Sequence, residues 1–412
     1  MPSFSTPRPR LNSSPINIAR TAPGYWAQIA AGDPFRLLFP VGTLIGILGV
    51  LMWPLYVWNF THVYPGIMHS RIMVEGFLTC FVIGFLTTAL PRLLDVPRVG
   101  LGESLGFAAA LMATALAHFL GWTLLGDALF FLTLSALVLA LAIRAIFRKD
   151  TPPPAFVLVA MGLLSALIGS AVLLLAQVVP ESVSSTASTT ARLLLNQGYL
   201  LLPIMGIGAF LLPRFFNLPN RQNFPESLAL PPGWKLRALF AMCCGLAVIV
   251  SFVLEATGNL RTGCGLRAVA VLIYFIREVP VHQAGFGGGT LALGLRIALF
   301  AFPCGYGLMA ISPDRISSYL HIIFITGFSL LTFVVASRVV LGHSGQSDKF
   351  RAPLHAVRVM LALVTLAMLT RVSADWMPAI RMTHYAYAGT AWICGVLIWA
   401  AAILPSVRRP DA

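Results

Sequence analysis

Charged and imidazole side chains are scarce in this chain, and the apolar stretches around them make each one a candidate for chemistry. There are eight histidines. His69, His321 and His384 stand at the starts of three separate apolar runs. Neutral imidazole is the commonest metal ligand and also the usual axial ligand of haem iron. Two facing imidazoles hold a six-coordinate haem; one leaves a position open for a diatomic gas. A lone histidine at a helix end is more often a satisfied interface residue, so the case rests on three at similar depth. Met382, two residues before His384, adds a thioether of the kind that suits Cu(I), although methionine in such a place is usually packing. Arg71, Arg315 and Arg381 fall near the same depth. Guanidinium groups clamp carboxylates such as haem propionates, while snorkelling to an interface is the plainer account of each.

Glu75 lies about six residues deeper than His69, and a carboxylate inside an apolar span is by default a functional-site hypothesis. Three roles stay open for it: a protonated acid, a partner for Arg296 (itself within a span), or part of a proton path. The segment Ala336–Gly345 closes another span. Gly342 suits a helix C-terminus and Gly345 a tight turn, and Arg338 and His343 are favourable at the negative end of the helix dipole. A structural role is sufficient for that segment.

Such residues need elements to position them, and composition says which. Of 412 residues, 58% are apolar and only 10% charged, with a mean hydropathy of +0.85. That is an all-α, polytopic integral membrane protein rather than a soluble domain. A β-barrel would show spans of ~10 residues with alternating polarity, whereas these runs are continuous. About twelve spans have the ~20 residues a bilayer requires: 37–60, 70–92, 103–123, 126–147, 153–178, 191–213, 235–257, 263–281, 288–310, 316–342, 354–375 and 384–405. The eighth is the weakest, because Arg277 and Glu278 interrupt it. Residues 1–36 read as a polar tail without a signal peptide, 37–405 as a single membrane domain, and 406–412 as a short second tail.

With the N-terminus inside, about 20 of the 28 basic residues fall on the cytoplasmic side, which predicts cytoplasmic N- and C-termini. The net charge of +14 is explained by that bias, and scattered basic residues exclude a nucleic-acid role. His62, His69, His321 and His384 then fall at outer helix ends, and His118 on the outer side of the third span. Five of the six cysteines lie in apolar spans and only Cys264 reads as exposed, which is no disulfide framework. Spans two and ten are where the main subunit of haem-copper oxidases holds its low-spin haem, an analogy at the level of fold. It stops there, because spans six and seven contain no histidine and span ten lacks a second one, so an oxygen-reducing binuclear centre has no ligands.

The run His321 to Gly345, HIIFITGFSLLTFVVASRVVLGHSG, resembles the signature of the NnrS family: a histidine, an apolar helix, then Thr/Ser-Arg-Val and Leu-Gly-His-Thr/Ser-Gly. His69 to Phe77 is similar to the family's His-Ala-His-Glu-Met opening, and Gly84 to Pro91 to the helix end that follows it. Asp33-Pro34-Phe35-Arg36, Met205-Gly206 and Pro213-Arg214 agree as well. The resemblance implies a multi-pass bacterial inner-membrane protein containing haem and copper, tied to nitric oxide and to protection from nitrosative stress in bacteria, denitrifiers among them. It makes His69 and His321 the leading ligands of a b-type haem, with His384 and His343 next. Arg71 stands where the family has its second histidine, and Ile72 where it has glutamate, so a copper site built on both histidines is incomplete. The alternative from a different class is a metal-free transporter or assembly factor whose Glu75 and Arg296 line a solute or proton path. No inverted repeat or paired broken helices of the transporter kind are evident.

Overall fold

The computed structural model describes residues 24–224, 228–285 and 287–410, and among them there is no strand. The long helices are α1 Phe35–Val57, α2 Gly66–Leu93, α3 Leu101–Phe119, α4 Thr123–Ile146, α5 Pro154–Val178, α6 Ser185–Phe216, α7 Trp234–Ala256, α8 Leu260–Glu278, α9 Gly289–Ile311, α10 Pro313–Gly342, α11 His355–Trp376 and α12 Pro378–Arg408. Eleven of them are long and apolar enough to cross a membrane. The twelfth, α8, is the span that charge interrupts: it carries Arg261, Arg267, Arg277 and Glu278. Arg267 is nonetheless fully buried. It donates to Glu255 Oε2 (2.7 Å), Gln197 Oε1 (2.9 Å) and Ser251 Oγ (2.9 Å), so the neighbouring helices satisfy it.

Parity supports counting α8 as a crossing. Arg36, buried at the start of α1, donates to Val407 O (2.8 Å) and Arg409 O (2.7 Å) at the end of α12, and to His343 O (2.8 Å) just past α10. The start of α1 and the end of α12 therefore share one face, here the clasp face. Twelve crossings return the chain to the face it left; eleven do not. Ends of odd-numbered helices and starts of even-numbered ones make up the opposite face.

Three helices sit deepest in the bundle, α2, α6 and α10, every fourth in the order. Each contains a wide π-helical stretch, Ile72–Leu78, Leu194–Gly198 and Ile322–Ser329, a distortion frequent at functional sites. All three stretches pack on neighbours through glycine, a Cβ on Gly198 lying 3.1 Å from Phe252 Cε2 of α7. A Cβ on Gly76 would lie 2.6 Å from Ile45 Cγ2 of α1, and one on Gly327 2.9 Å from Phe302 Cε1 of α9. Between the three helices runs a cavity of about 100 Å³ lined by apolar side chains such as Leu78, Phe81, Leu200, Ile204 and Leu331. A second cavity of about 250 Å³ continues toward Thr88, Arg92 and His343. Trp392 and Trp399 tie α12 to α10 by donating their indole N–H to Ser329 (3.0 Å) and Ser337 (2.8 Å), the polar handle that lets tryptophan be buried.

Helix ends differ from the sequence expectation, because turns at a bundle face need no apolar residues to stay helical. Helix α2 begins at Gly66 rather than 70, so His69 lies inside it. The tail read over 1–36 ends sooner. Tyr25–Ala30 is a short helix, Ile29 and Asp33 are buried, and Tyr25 OH donates to Arg36 O (3.0 Å). Residues 1–23 of that tail, and 411–412 of the second, lie outside the described residues; Ser406 and Val407 are buried. Cys264, read as exposed, is buried instead, because α8 turns its Sγ to 3.7 Å from Glu255 Oε2.

Candidate functional site

Two polar clusters sit on opposite sides of α2, about a turn below the face opposite the clasp. In the first, His69 Nδ1 pairs with Gly49 O of α1 at 3.0 Å, and His321 Nδ1 with Ser317 O one turn back at 2.6 Å. A carbonyl accepts only, so in both rings Nδ1 carries the proton and Nε2 keeps its lone pair. This is the arrangement that fixes a ligating histidine's tautomer and orientation. The two imidazoles lie within electrostatic reach of one another, and Arg371 of α11 is within reach of both. Trp53 packs on His69 at 6.0 Å and on Tyr385 at 5.0 Å between ring centroids. Arg371 lies over the Tyr385 ring at 4.1 Å and donates to Ser317 Oγ at 3.0 Å. Its other terminal nitrogen, Nη1, is buried without a hydrogen-bond partner.

The donors of this cluster fit haem. Two imidazoles on different helices offer Nε2, and a buried guanidinium offers an unused fork edge to a carboxylate. Sequence reasoning missed Arg371; its signal was an arginine one turn from the end of an apolar run, beside Arg381. Arg381 itself pairs with Asp375 (3.6 Å) in an exposed position. His384 Nδ1 pairs with Ile380 O (3.1 Å), and its neighbour Tyr385 is the α12 side chain that packs into the cluster.

The second cluster faces α3, α4 and α5. Glu75, in the π-helical stretch of α2, is 4% exposed and His118 of α3 is 0% exposed. His118 Nε2 lies 2.8 Å from Glu75 Oε2 and 3.7 Å from Asp127 Oδ1 of α4. Asp127 also contacts the Arg71 guanidinium and accepts from the Gln177 amide of α5. One atom each from Glu75, His118 and Asp127 lie within 4.8 Å of one another. Asp127 was invisible to sequence reasoning, since an aspartate in second place of the 126–147 run reads as a helix end.

Arg71 therefore belongs to this cluster and not beside the haem-type donors. Glu75 and Arg296 do not meet: Arg296 bonds Gly287 O (3.2 Å) and Gly285 O and covers the Phe216 ring near the clasp face. Arg338 and His343 lie at that face too. Arg338 is sandwiched by Phe215 (4.4 Å) and Phe350 (4.2 Å), and His343 Nδ1 is 3.9 Å from Asp33. Asp33 pairs with Arg36 (2.9 Å) and with Arg92. Burial by itself would raise its carboxyl, but the hydrogen bonds from Arg92 and Arg36 and the charge of His343 hold it below its ordinary value.

A family model described as "NnrS protein" matches residues 30–410. No curated protein matches the chain.

Proposed function

The chain belongs to the NnrS family, and from that premise we propose that it is a haem-binding membrane protein that takes up nitric oxide and contributes to protection from nitrosative stress. The single observation that supports this most is the pairing of tautomers. His69 and His321, brought from α2 and α10 to one cluster, both spend Nδ1 on a backbone carbonyl and present Nε2. His69 and His321 would hold a b-type haem there, which would supply an iron able to bind a diatomic gas if only one of the two ligated it. The chain's own residues fix ring orientation through Gly49 and Ser317, offer Arg371 to a propionate, and wall the site with Trp53 and Tyr385. Copper has weaker support, because Arg71 stands on the far side of α2 and is engaged by Asp127. The proposed setting is the bacterial inner membrane with the clasp face cytoplasmic, as the charge bias expects.

Purified protein from cells supplied with haem should show a Soret band and about one iron per chain. Changing both His69 and His321 to alanine should abolish the band, while Arg381→Ala should leave it. Full haem retention in the double variant would defeat the reading. A metal-free transporter using Glu75 and Arg296 draws no support from these contacts, since an apolar cavity lies between their two faces.

A further inference from the structure

The Glu75–His118–Asp127 cluster does nothing in the haem reading, yet it places two carboxylates and an imidazole where charge is costly. Buried polar networks are normally satisfied in full, and this one is not. His118 Nδ1, Asp127 Oδ1 and Arg71 Nη1 are all buried without a hydrogen-bond partner. The last two meet each other as an ion pair, which leaves His118 Nδ1 as the atom without a partner. One imidazole and two carboxylates with ligand atoms within 4.8 Å of one another, the ring's other nitrogen being unpartnered, form a donor set that a cation can take.

We propose that Glu75, His118 and Asp127 bind one divalent first-row metal ion of the Zn²⁺, Mn²⁺ or Fe²⁺ class, independent of the haem-type histidines. The donor set decides the class. One imidazole nitrogen with two carboxylate oxygens suits a borderline-to-hard cation, and no thiolate or thioether is present to favour Cu(I). Ligands about 2.0–2.2 Å from one zinc stand roughly 3.3–3.6 Å apart at tetrahedral angles. The separations from His118 Nε2, 2.8 and 3.7 Å, bracket that value. Gly126 makes room for the ring, because a Cβ there would lie 2.4 Å from His118 Cε1.

Arg71 completes the device. Its guanidinium contacts Asp127 Oδ1, the oxygen the ion would take, and so acts as a resident counter-cation. A bound ion displaces it toward the nearby face, which its 21% exposed side chain already reaches. The charge of Arg192 within reach of Arg71 adds to the positive surplus that this swing relieves.

The test titrates Co²⁺, a coloured stand-in for these ions, into full-length protein in detergent after chelator treatment, with Zn²⁺ as competitor. Haem absorbance in the same samples keeps the two sites' outcomes separate. The wild type should show visible cobalt bands saturating at about one ion per chain and erased by Zn²⁺. Glu75→Gln and Asp127→Asn, close to isosteric, should each weaken binding by about 10- to 100-fold while eluting as the wild type does, and His118→Asn should do the same. Arg71→Ala should tighten it. Absence of cobalt bands in the wild type overturns the site, as does binding undiminished in the Glu75→Gln/Asp127→Asn double variant. Weaker binding in Arg71→Ala overturns the displacement.

Discussion

Replacing Arg267 by methionine is a demanding test of how this membrane bundle carries charge. The guanidinium makes three interhelical contacts, to Glu255, Gln197 and Ser251 at 2.7–2.9 Å, and lies over the Phe252 and Tyr306 rings at 4.3 and 4.9 Å. Hydrogen bonds between helices in a bilayer average about 0.6 kcal/mol each, so three neutral ones amount to roughly 2 kcal/mol. Removing one partner of a buried ion pair costs about 3–5 kcal/mol, because the other charge is stranded. The Glu255 side chain is 13% exposed, which permits some hydration and places the expected loss near the low end, about 3 kcal/mol. The excess over 2 kcal/mol is the stranded carboxylate, so Arg267→Met/Glu255→Gln should regain it. Reversible unfolding in mixed micelles, followed by tryptophan fluorescence, measures both variants. A single-variant loss of about 2 kcal/mol or less, with no recovery in the double variant, would refute the reasoning and reduce Arg267 to an ordinary hydrogen-bond donor.

Two further outcomes follow from the clasp and from the Glu75–His118–Asp127 cluster. Because the Asp33 carboxyl is held below its ordinary value, its contribution is complete above about pH 4 and disappears as pH falls through the lowered folded value. Acid unfolding of Asp33→Asn should start from a baseline about 2 kcal/mol lower and lack the steepest acid-side decline of the wild type. Gly126→Val should push the His118 ring out of its place and remove its bond to Glu75. A loss of about 1–3 kcal/mol is expected, with the Soret band retained; loss of haem in that variant would show that the two clusters are coupled.

The number of spans was legible because continuous apolar runs near 20 residues have few other uses. The weakness of span eight was legible too, from Arg277 and Glu278; that Arg267 adds a fully buried charge to it was not. His69 and His321 could be paired by depth along their helices. Their carbonyl partners could not, because Gly49 belongs to another helix and Ser317 is bonded only through the rotamer that His321 adopts. Glu75 was visible as an anomaly, but its partner His118 lies 43 residues away in sequence and Asp127 sits where a helix start hides it. The π-helical stretches left no trace in the hydrophobic pattern, since a locally widened turn changes neither composition nor span length. Which face of α2 Arg71 takes was equally hidden, and it decides whether that arginine belongs with haem-type or metal-type donors.

The Arg36 clasp sets an order in time. Its carbonyl partners at Val407 and Arg409 lie 371 and 373 residues downstream, so the first helix enters the bilayer with its Asp33 bond available but these two carbonyls still unmade. Until α12 has been made, Arg36 has Asp33 and the His343 carbonyl but not the α12 end, and the start of α1 is held by fewer bonds. Helix α12 is thus the one that latches α1, and a nascent chain stalled before α12 presents an unlatched α1 to the quality-control machinery.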